Sequence, residues 1–337
     1  MFAARIGIDL GAANVLAYVD QKGLVVQEPA VVAIDTRKDE VQALGHAALN
    51  MVGRTAEHIK IFQPLSEGAM TDHRILELLL RYLILRVCGR RCLFRPVTII
   101  SVPPKINSVE RRAVLQAAYS AGAKEAHLVS ETLLSGLGAG LDLNQARGHL
   151  VVNIGAGTTN VAVLSMDSEV ISESIKVGGE DFTRAIMRYL KKHHNLVVGQ
   201  LSAEQMKCAI GTVIPRDGQW EIRGQDYVSG LPEVRKVSAT ELQDVLLGCV
   251  EPIIATIVHV LEQTPPELAR DIYSFGMVLT GGGALLHGMD QVLEEATGIQ
   301  VKLPAEPLLS VIDGIKVLMN NKQYPLSPGV LNDYSAG

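Results

Sequence analysis

Cysteine and aromatic residues are scarce in this chain. Its 337 residues include 4 cysteines, and aromatic residues make up 4%. The cysteines, Cys88, Cys92, Cys208 and Cys249, form no Cys-x-x-Cys pair, so neither a disulfide framework nor a zinc site is expected. We interpret them as reduced thiols of a cytosolic protein. With so few aromatic residues, the cores must be built from Leu, Ile, Val and Ala.

An excess of positive charge and long apolar runs are also missing. The net charge of −5 argues against bulk binding to nucleic acid. A signal peptide is not expected, because the first strand begins within about five residues of Met1. The most apolar predicted helix, from Ile75 to Val87, is too short to span a bilayer and carries Glu77, Arg81 and Arg86. Any contact with a membrane should therefore be peripheral.

What is present indicates a globular α/β protein of about two domains. Hydrophobic residues make up 47% and charged residues 20%, so the chain can bury sizeable cores. Meanders of short strands alternate with helical patterns, which predicts an α/β architecture. A long helix is expected from Ala239 to Leu261, with a kink or break at Pro252.

The most informative stretch is 150–163, LVVNIGAGTTNVAV. It predicts a strand, a tight loop and a second strand. Glycines let a loop backbone approach a bulky group, and successive N–H groups in such a turn can bind an anion. A phosphate-binding hairpin is one interpretation of this stretch. An ordinary hairpin within a sheet is the other.

Two further glycine-rich loops favour the first interpretation. Residues 6–19, IGIDLGAANVLAYV, repeat the plan of the first hairpin, with Asp9-x-Gly11 matching Asn153-x-Gly155. This repetition predicts a duplicated domain whose two loops face one cleft. A third turn, Gly281-Gly282-Gly283, follows an apolar strand and precedes a helical pattern, where backbone N–H groups could meet a nucleotide.

Three such loops in this order resemble the actin, heat-shock chaperone and sugar-kinase superfamily. Longer stretches are similar to the MreB/Mbl family of bacterial actins, from residue 4 to about 320. They include IGIDLG (6–11), QEPAVVAI (27–34), GRT (53–55), PL (64–65), GLGAG (136–140), KVGG (176–179), SGLP (229–232), EQTPPEL (262–268) and LTGGGALL (279–286).

The resemblance implies an actin-like ATPase fold with two related domains around a nucleotide cleft. Domain I would comprise 1–149 and 308–325, with a small subdomain at about 33–65. Domain II would comprise 150–307, with a small subdomain at about 182–245, and 326–337 would form an irregular tail.

The resemblance also implies a function. Such a protein binds ATP with Mg²⁺, forms homopolymers of paired protofilaments, and works with membrane partners of the elongation machinery. It would lie in the cytoplasm, on the inner face of the cell membrane, and guide cell-wall synthesis in rod-shaped cells. No nucleic-acid partner is expected.

The site residues that the resemblance implies fall on the three loops and two helices. Asp9 and Asn153 would arrange the water shell of the metal, and Glu131 would position the attacking water. The nucleotide contacts fall on Asp9, Gly11, Ala12, Ala13, Asn14, Asn153, Gly155, Ala156, Gly157, Thr158, Thr159, Gly179, Glu204, Lys207, Gly281, Gly282, Gly283, Ala284 and Leu285.

Several of these positions depart from the family pattern. The family usually has Thr at Ala12, Asp at Asn153, Asp or Glu at Asn160, and Gly at Ala156. Ser130 and Thr132 stand where it has Glu and Pro. Asn153 keeps an oxygen but loses the charge that Mg²⁺ prefers. We therefore expect nucleotide binding with slow or absent hydrolysis; the alternative is that these substitutions are tolerated.

A membrane contact is expected at a basic, apolar loop. Leu93 and Phe94 lie among Arg90, Arg91 and Arg95, and arginines near an anionic leaflet gain about 1 kcal/mol each. Bacterial actins that this chain resembles can dock through such a loop. The alternative is that Leu93 and Phe94 pack into the core before strand 97–102.

Other functions are possible within the superfamily. A sugar or acetate kinase would need a substrate-side carboxylate base, and no clear one is found. A chaperone ATPase would need a peptide-binding domain after residue 320, where only a short tail follows. A nucleotide-insensitive scaffold filament remains as the alternative to an ATP-driven one.

Overall fold

The computed structural model describes residues 4–20, 22–38, 40–63, 65–66, 69–70, 73–89 and 95–320. These form two compact units. The described part of the first unit lies within 1–145, 166–169 and 308–320, and the second unit comprises 146–165 and 170–307. Sequence periodicity does not anticipate the assignment of 166–169 to the first unit. The expected tail, 326–337, lies outside the described residues.

The first unit opens with strands and continues with alternating helices and strands. Its elements are β1 (Arg5–Leu10), β2 (Asn14–Val19), β3 (Gly23–Pro29), β4 (Val32–Asp35), β5 (Glu40–Leu44), α1 (His46–Leu49), β6 (Ile59–Phe62), β7 (Leu65–Ser66), β8 (Ala69–Met70), α2 (His73–Cys88), β9 (Val97–Val102), α3 (Ser108–Ser120), β10 (Glu125–Ser130) and α4 (Glu131–Gly138).

The second half of the chain also opens with strands and continues with helices and further strands. Its elements are β11 (His149–Ile154), β12 (Thr159–Ser165), β13 (Ser168–Ile175), α5 (Gly179–His194), β14 (Leu196–Val197), α6 (Gln200–Ile210), β15 (Gln219–Asp226), β16 (Pro232–Ser238), α7 (Ala239–Gln263), α8 (Pro266–Phe275), β17 (Met277–Thr280), α9 (Met289–Thr297), β18 (Val301–Lys302) and α10 (Ser310–Asn320). Helix α10 belongs to the first unit.

Each unit is built on a mixed sheet, and the two sheets have the same topology. The strand orders are β10-β9-β1-β2-β3 and β13-β12-β11-β17-β18. In each sheet the first strand of an antiparallel hairpin also pairs in parallel with a strand on its other side. Strand β1 pairs antiparallel with β2 and parallel with β9, and β11 pairs antiparallel with β12 and parallel with β17. This equivalence confirms the α/β class and the predicted duplication. Smaller sheets, β5-β4-β6 and β14-β15-β16, fall within the stretches predicted as small subdomains.

The core of the first unit is aliphatic, as the composition requires. Helix α2 buries Leu76, Leu79, Leu80 and Leu83, which share one face at helical spacing. They pack in one cluster with the apolar side chains of β1. Full burial of each such side chain stabilises the fold by about 1.5–3 kcal/mol.

The core of the second unit centres on α7. Its buried residues include Leu242, Leu246, Val250 and Ile253, again at helical spacing. By length and composition α7 could cross a membrane, but this periodic face belongs to the core cluster of the unit. The helix is continuous through Pro252, so of the predicted kink or break the break is excluded and the kink stays a prediction.

Candidate functional site

In the first unit, the β1–β2 hairpin loop has tight backbone geometry. A Cβ atom at Gly11 would lie 2.7 Å from the Asn14 carbonyl oxygen, so this position requires glycine. Ala12 and Ala13 are half-buried and Asn14 is exposed. The Ala13 carbonyl accepts a hydrogen bond from the Ala30 amide at 2.9 Å. The loop is therefore folded close on itself and anchored to the chain after β3.

Asp9 lies at the carboxyl end of β1 and is buried. The Ser101 hydroxyl donates to Asp9 Oδ1 at 2.8 Å and accepts from the Leu10 amide at 3.0 Å. Burial raises the pKa of Asp9 to about 6, although the Ser101 hydrogen bond works in the opposite direction. A cation or its water shell would favour the ionised carboxylate, and the oxygen donor suits Mg²⁺.

Glu131 lies at the same edge of the sheet as Asp9. Strands β1, β9 and β10 are parallel, with Ile8 beside Ile100 and Val129 beside Ser101. Glu131 follows the last residue of β10 and is the first residue of α4. The carboxyl ends of parallel strands in open α/β sheets are where ligands bind. The structure thus places both predicted acidic groups of this unit at a suitable edge.

In the second unit, the β11–β12 loop is docked on the N-terminus of α5. The Gly155 amide donates to the Thr158 carbonyl at 2.8 Å, and the Gly179 amide donates to the Gly155 carbonyl at 2.9 Å. A Cβ atom at Gly178 would lie 2.5 Å from the Ala156 carbonyl oxygen. These contacts fix the loop and bring Gly179 to it, as the predicted site requires.

The two threonines of this loop differ in environment. Thr158 is half-buried, whereas Thr159 is fully buried. The Thr159 hydroxyl donates to the Val177 carbonyl at 2.7 Å. This hydroxyl therefore stabilises the connection to α5, and Thr158 is the more accessible of the two. Gly157 is buried and Ala156 is half-buried.

The third glycine turn packs directly on the end of β11. Asn153 lies beside Thr280 in the parallel pair β11–β17, and the Thr280 hydroxyl donates to Asn153 Oδ1 at 3.4 Å. Gly281 has φ +81°, and a Cβ atom there would lie 2.5 Å from Asn153 Oδ1. At Gly283 a Cβ atom would lie 2.2 Å from Ile154 Cγ2. The turn has no room for side chains at either glycine.

A single 3₁₀ turn over Gly282–Leu285 follows Gly281. Gly282 and Leu285 are exposed, whereas Ala284 is buried. Of the residues predicted to contact the nucleotide here, Gly282 and Leu285 present the accessible surface.

Lys207 and Glu204 on α6 are joined to α5. Lys207 Nζ lies 2.8 Å from Glu204 Oε2, 2.8 Å from the Gly179 carbonyl oxygen and 3.1 Å from Thr183 Oγ1. The Thr183 hydroxyl also donates to Glu204. The structure therefore brings three predicted site residues together and adds Thr183. Its position one helical turn after Gly179 is the sequence signal that could have identified it.

Asn160 is fully buried in β12. The Ser174 hydroxyl donates to Asn160 Oδ1 at 2.6 Å. Asn160 is one of the positions that depart from the family pattern, and its side-chain amide is therefore held by a hydrogen bond inside the unit.

Ser130 and Thr132, which flank Glu131, both donate from their hydroxyl groups to Oε1 of Glu169. Ser130 Oγ and Thr132 Oγ1 are 2.8 Å apart. Sequence reasoning missed Glu169, because no local pattern pairs it with residues 37 or more positions away.

The predicted membrane loop is only partly described. Leu93, Phe94, Arg90 and Arg91 lie outside the described residues, and Arg95 is exposed. Among the described residues, no group of His, Cys, Asp and Glu has the arrangement of a protein-only metal site.

Comparisons with known proteins point to the same family over nearly the whole chain. The family model for the MreB/Mbl protein matches residues 3–326. The cell shape-determining protein Mbl of Bacillus cereus is 42% identical over 323 residues, covering 95% of this chain and 97% of that protein. The cell shape-determining protein MreB of Escherichia coli is 39% identical, with 93% and 92% covered.

Solved structures give the same result. MreB5 of Spiroplasma citri bound to ADP is 35% identical, with a TM-score of 0.90 over 94% of this chain and 96% of that chain. Its complex with AMPPNP has a TM-score of 0.92 at 34% identity, over 98% and 99%. The MamK double helical filament shares the fold, with a TM-score of 0.80 at 18% identity over 95% and 99%. The chain therefore belongs to the MreB/Mbl family and has its actin-like fold.

Proposed function

We propose that this chain is an ATP-binding, self-assembling actin-like protein that acts in cell-shape determination. The observation that carries the proposal is the set of glycine-dependent loops described above, in a chain 34% identical to an MreB5 solved with AMPPNP. Relatives named cell shape-determining proteins support the cellular role. Self-assembly is supported by the likeness of fold to the MamK filament.

In this proposal the hairpin loops hold the phosphates. Backbone amides of 11–14 and 156–158 are suited to anion binding, because successive N–H groups can converge on one oxygen. Lys207, Glu204 and the exposed Gly282–Leu285 turn contact the ribose and base. Bound Mg²⁺ would neutralise charge on the phosphates, with Asp9 and Asn153 orienting its water shell. Glu131 orients the attacking water.

Hydrolysis is proposed to be slow. Asn153 and Asn160 are neutral where carboxylates are usual in the family, and Asn160 Oδ1 accepts the Ser174 hydroxyl group. Fewer carboxylates mean weaker Mg²⁺ binding and less general-base assistance, which is worth about 10²–10⁴-fold in rate. A scaffold filament that does not respond to nucleotide is the alternative function, favoured by these same substitutions.

We also propose that the filament, of paired protofilaments, lies on the inner face of the membrane with partners of the elongation machinery. The loop with Leu93 and Phe94 among arginines would insert its apolar side chains, and Arg95, which is exposed, would meet anionic headgroups.

Binding of a fluorescent ATP analogue in Mg²⁺ tests the nucleotide site. Lys207→Ala should weaken binding by about tenfold, the loss of one charged hydrogen-bonding group. Lys302→Ala is the matched control, because Lys302 is exposed on β18 in the same unit. Equal affinity of both variants and the parent would refute the assignment of Lys207, and no binding by the parent would refute the proposed function.

A further inference from the structure

Three oxygen atoms meet at the start of α4. Ser130 is the N-cap residue of α4, yet its hydroxyl makes no capping hydrogen bond to the helix. It donates to Glu169 Oε1, and the hydroxyl of Thr132, in the first turn of α4, donates to the same oxygen. We call Ser130, Thr132 and Glu169 the α4 clamp. Its two hydroxyl-bearing residues flank Glu131 on either side.

The two hydroxyl-bearing residues of the α4 clamp are buried. Ser130 is 8% exposed and Thr132 is 0% exposed. A carboxylate that accepts two hydroxyl groups in such a site forms hydrogen bonds of the stronger, charge-assisted kind. Because the residues before and after Glu131 are both held, the backbone of Glu131 has little freedom to rotate.

Glu169 is itself held by a strained turn. Met166 and Asp167, which connect β12 to β13, have φ of 50° and 58°, a conformation that side-chain-bearing residues rarely adopt. The Asp167 amide donates to the Leu143 carbonyl at 2.8 Å, and the Met166 amide donates to the Gln145 carbonyl at 3.3 Å. Strained backbone persists only where surrounding contacts determine it, so the turn presents Glu169 to α4 from a fixed position.

We infer that Glu169 is a positioning residue for ATP hydrolysis, acting through Ser130 and Thr132 to hold Glu131 against the attacking water. This inference rests on the proposed function. In that reaction the water oxygen bonds to the γ-phosphorus, and the bond to the β–γ bridging oxygen breaks with its electron pair leaving on ADP. One water proton stays on the attacking oxygen, and the other passes to an oxygen of inorganic phosphate or to solvent. Glu169 touches none of the reacting atoms.

The test is phosphate release with ATP and Mg²⁺ in a matched set of variants. Glu169→Ala should lower kcat by about 10–100-fold, a part of what positioned acid–base groups contribute, and leave KM and ATP-analogue affinity unchanged. Glu169→Gln keeps an acceptor oxygen and should retain most of the rate. Glu221→Ala, at an exposed carboxylate of β15, is the control and should have no effect.

Two combinations distinguish positioning from a structural role. Ser130→Ala with Thr132→Val removes the donors with little change of shape, and adding Glu169→Ala to this pair should cause no further loss. Glu169→Ala should also have no effect once Glu131→Ala is present. All variants should remain fully folded under the assay conditions, as urea unfolding curves will show, even where a buried hydroxyl group loses its partner.

The inference is overturned by an unchanged kcat in Glu169→Ala, by an equal loss in Glu169→Gln, or by a loss of rate that follows a loss of ATP affinity or partial unfolding under the assay conditions. If the parent binds ATP but releases no phosphate, the inference fails while the proposed nucleotide-binding filament stands. If the parent binds no ATP, the proposed function itself fails.

Discussion

At the scale of single residues, buried polar groups distinguish this chain most clearly from an ordinary sheet protein. Asp9, Asn153 and Asn160 are all buried, and each has a hydroxyl partner: Ser101, Thr280 and Ser174, respectively. Polar groups buried in this way cost stability unless they are hydrogen-bonded. The hydroxyl partners of these three residues offset that cost.

Asp9 predicts a pH dependence of stability in the nucleotide-free protein. Its pKa rises from 3.8 to about 6 on folding, so the native state binds the proton more tightly than the unfolded state. The contribution of Asp9 to the free energy of unfolding should therefore fall by up to about 3 kcal/mol as pH rises from about 4 to 6, and stay level above that. Asp9→Asn should remove this contribution, so that the variant gains stability relative to the parent between pH 4 and pH 6 and is the more stable of the two at pH 8.

Urea unfolding in EDTA between pH 4 and pH 8 measures this effect. Asp217→Asn, at an exposed position, is the control and should follow the parent. Identical pH profiles for Asp9→Asn and the parent would show that burial of Asp9 has no energetic consequence.

Gly281 provides a second prediction at this scale. Gly281→Ala places a Cβ atom 2.5 Å from Asn153 Oδ1 at φ +81°, which must displace the turn. We expect a loss of about 1–3 kcal/mol from strain and at least tenfold weaker ATP-analogue binding. Gly298→Ala is the control, since Gly298 also has positive φ, +69°, but no atom lies within 4 Å of its Cβ position. Equal affinities in the two variants would contradict a role for the turn in nucleotide binding.

At the scale of secondary-structure elements, local signals predicted most of the chain. Asn107 and Glu110 have the spacing of a capping box, and this box is present at the start of α3. The Gly-rich hairpins have the expected strands on both sides. Both signals are local, because a cap or a tight turn is determined by residues within a few positions of each other.

Elements that depend on distant contacts were harder to predict. The pair Pro265-Pro266 predicts the end of a helix, but Pro266 also begins α8, where proline at the first turn is favourable. The sequence pattern predicts a helix near 286–297, whereas α9 begins at Met289, after a 3₁₀ turn at Gly282–Leu285 and the left-handed N-cap residue Gly288. The α4 clamp depends on Glu169, whose approach to Ser130 is set by the tertiary fold.

Pro252 supplies a prediction at this scale. Pro252 is exposed within the continuous helix α7, where proline removes a backbone hydrogen bond. Pro252→Ala should therefore stabilise the protein by about 1–3 kcal/mol, measured by urea unfolding. Glu251→Ala, at the neighbouring exposed position, should change stability by less than about 0.5 kcal/mol. A destabilised Pro252→Ala variant would indicate that the helix needs the distortion that proline imposes.

At the scale of the whole molecule, the duplicated sheets explain why sequence could predict the fold. The two sheets share one strand order, and each presents a glycine hairpin and the ends of parallel strands at one edge. Boundaries of the two units were harder to place, because the turn 166–169 belongs to the first unit while the strands it joins run through the second.

Membrane docking is a prediction for the assembled protein. Leu93→Ser with Phe94→Ser should reduce co-sedimentation with anionic liposomes several-fold, because two apolar side chains no longer insert. Val109→Ser is the control, since Val109 is 74% exposed on α3. Undiminished co-sedimentation of the double variant would exclude this loop as the membrane contact.

We propose that nucleotide binding by the glycine loops controls assembly. The most direct measurement is sedimentation of polymer from purified protein with Mg²⁺ and ATP, and without nucleotide. We predict polymer that depends on ATP and is lost in Gly281→Ala but kept in Gly298→Ala. Equal polymer with and without nucleotide, unaffected by Gly281→Ala, would contradict the claim and favour the nucleotide-insensitive scaffold.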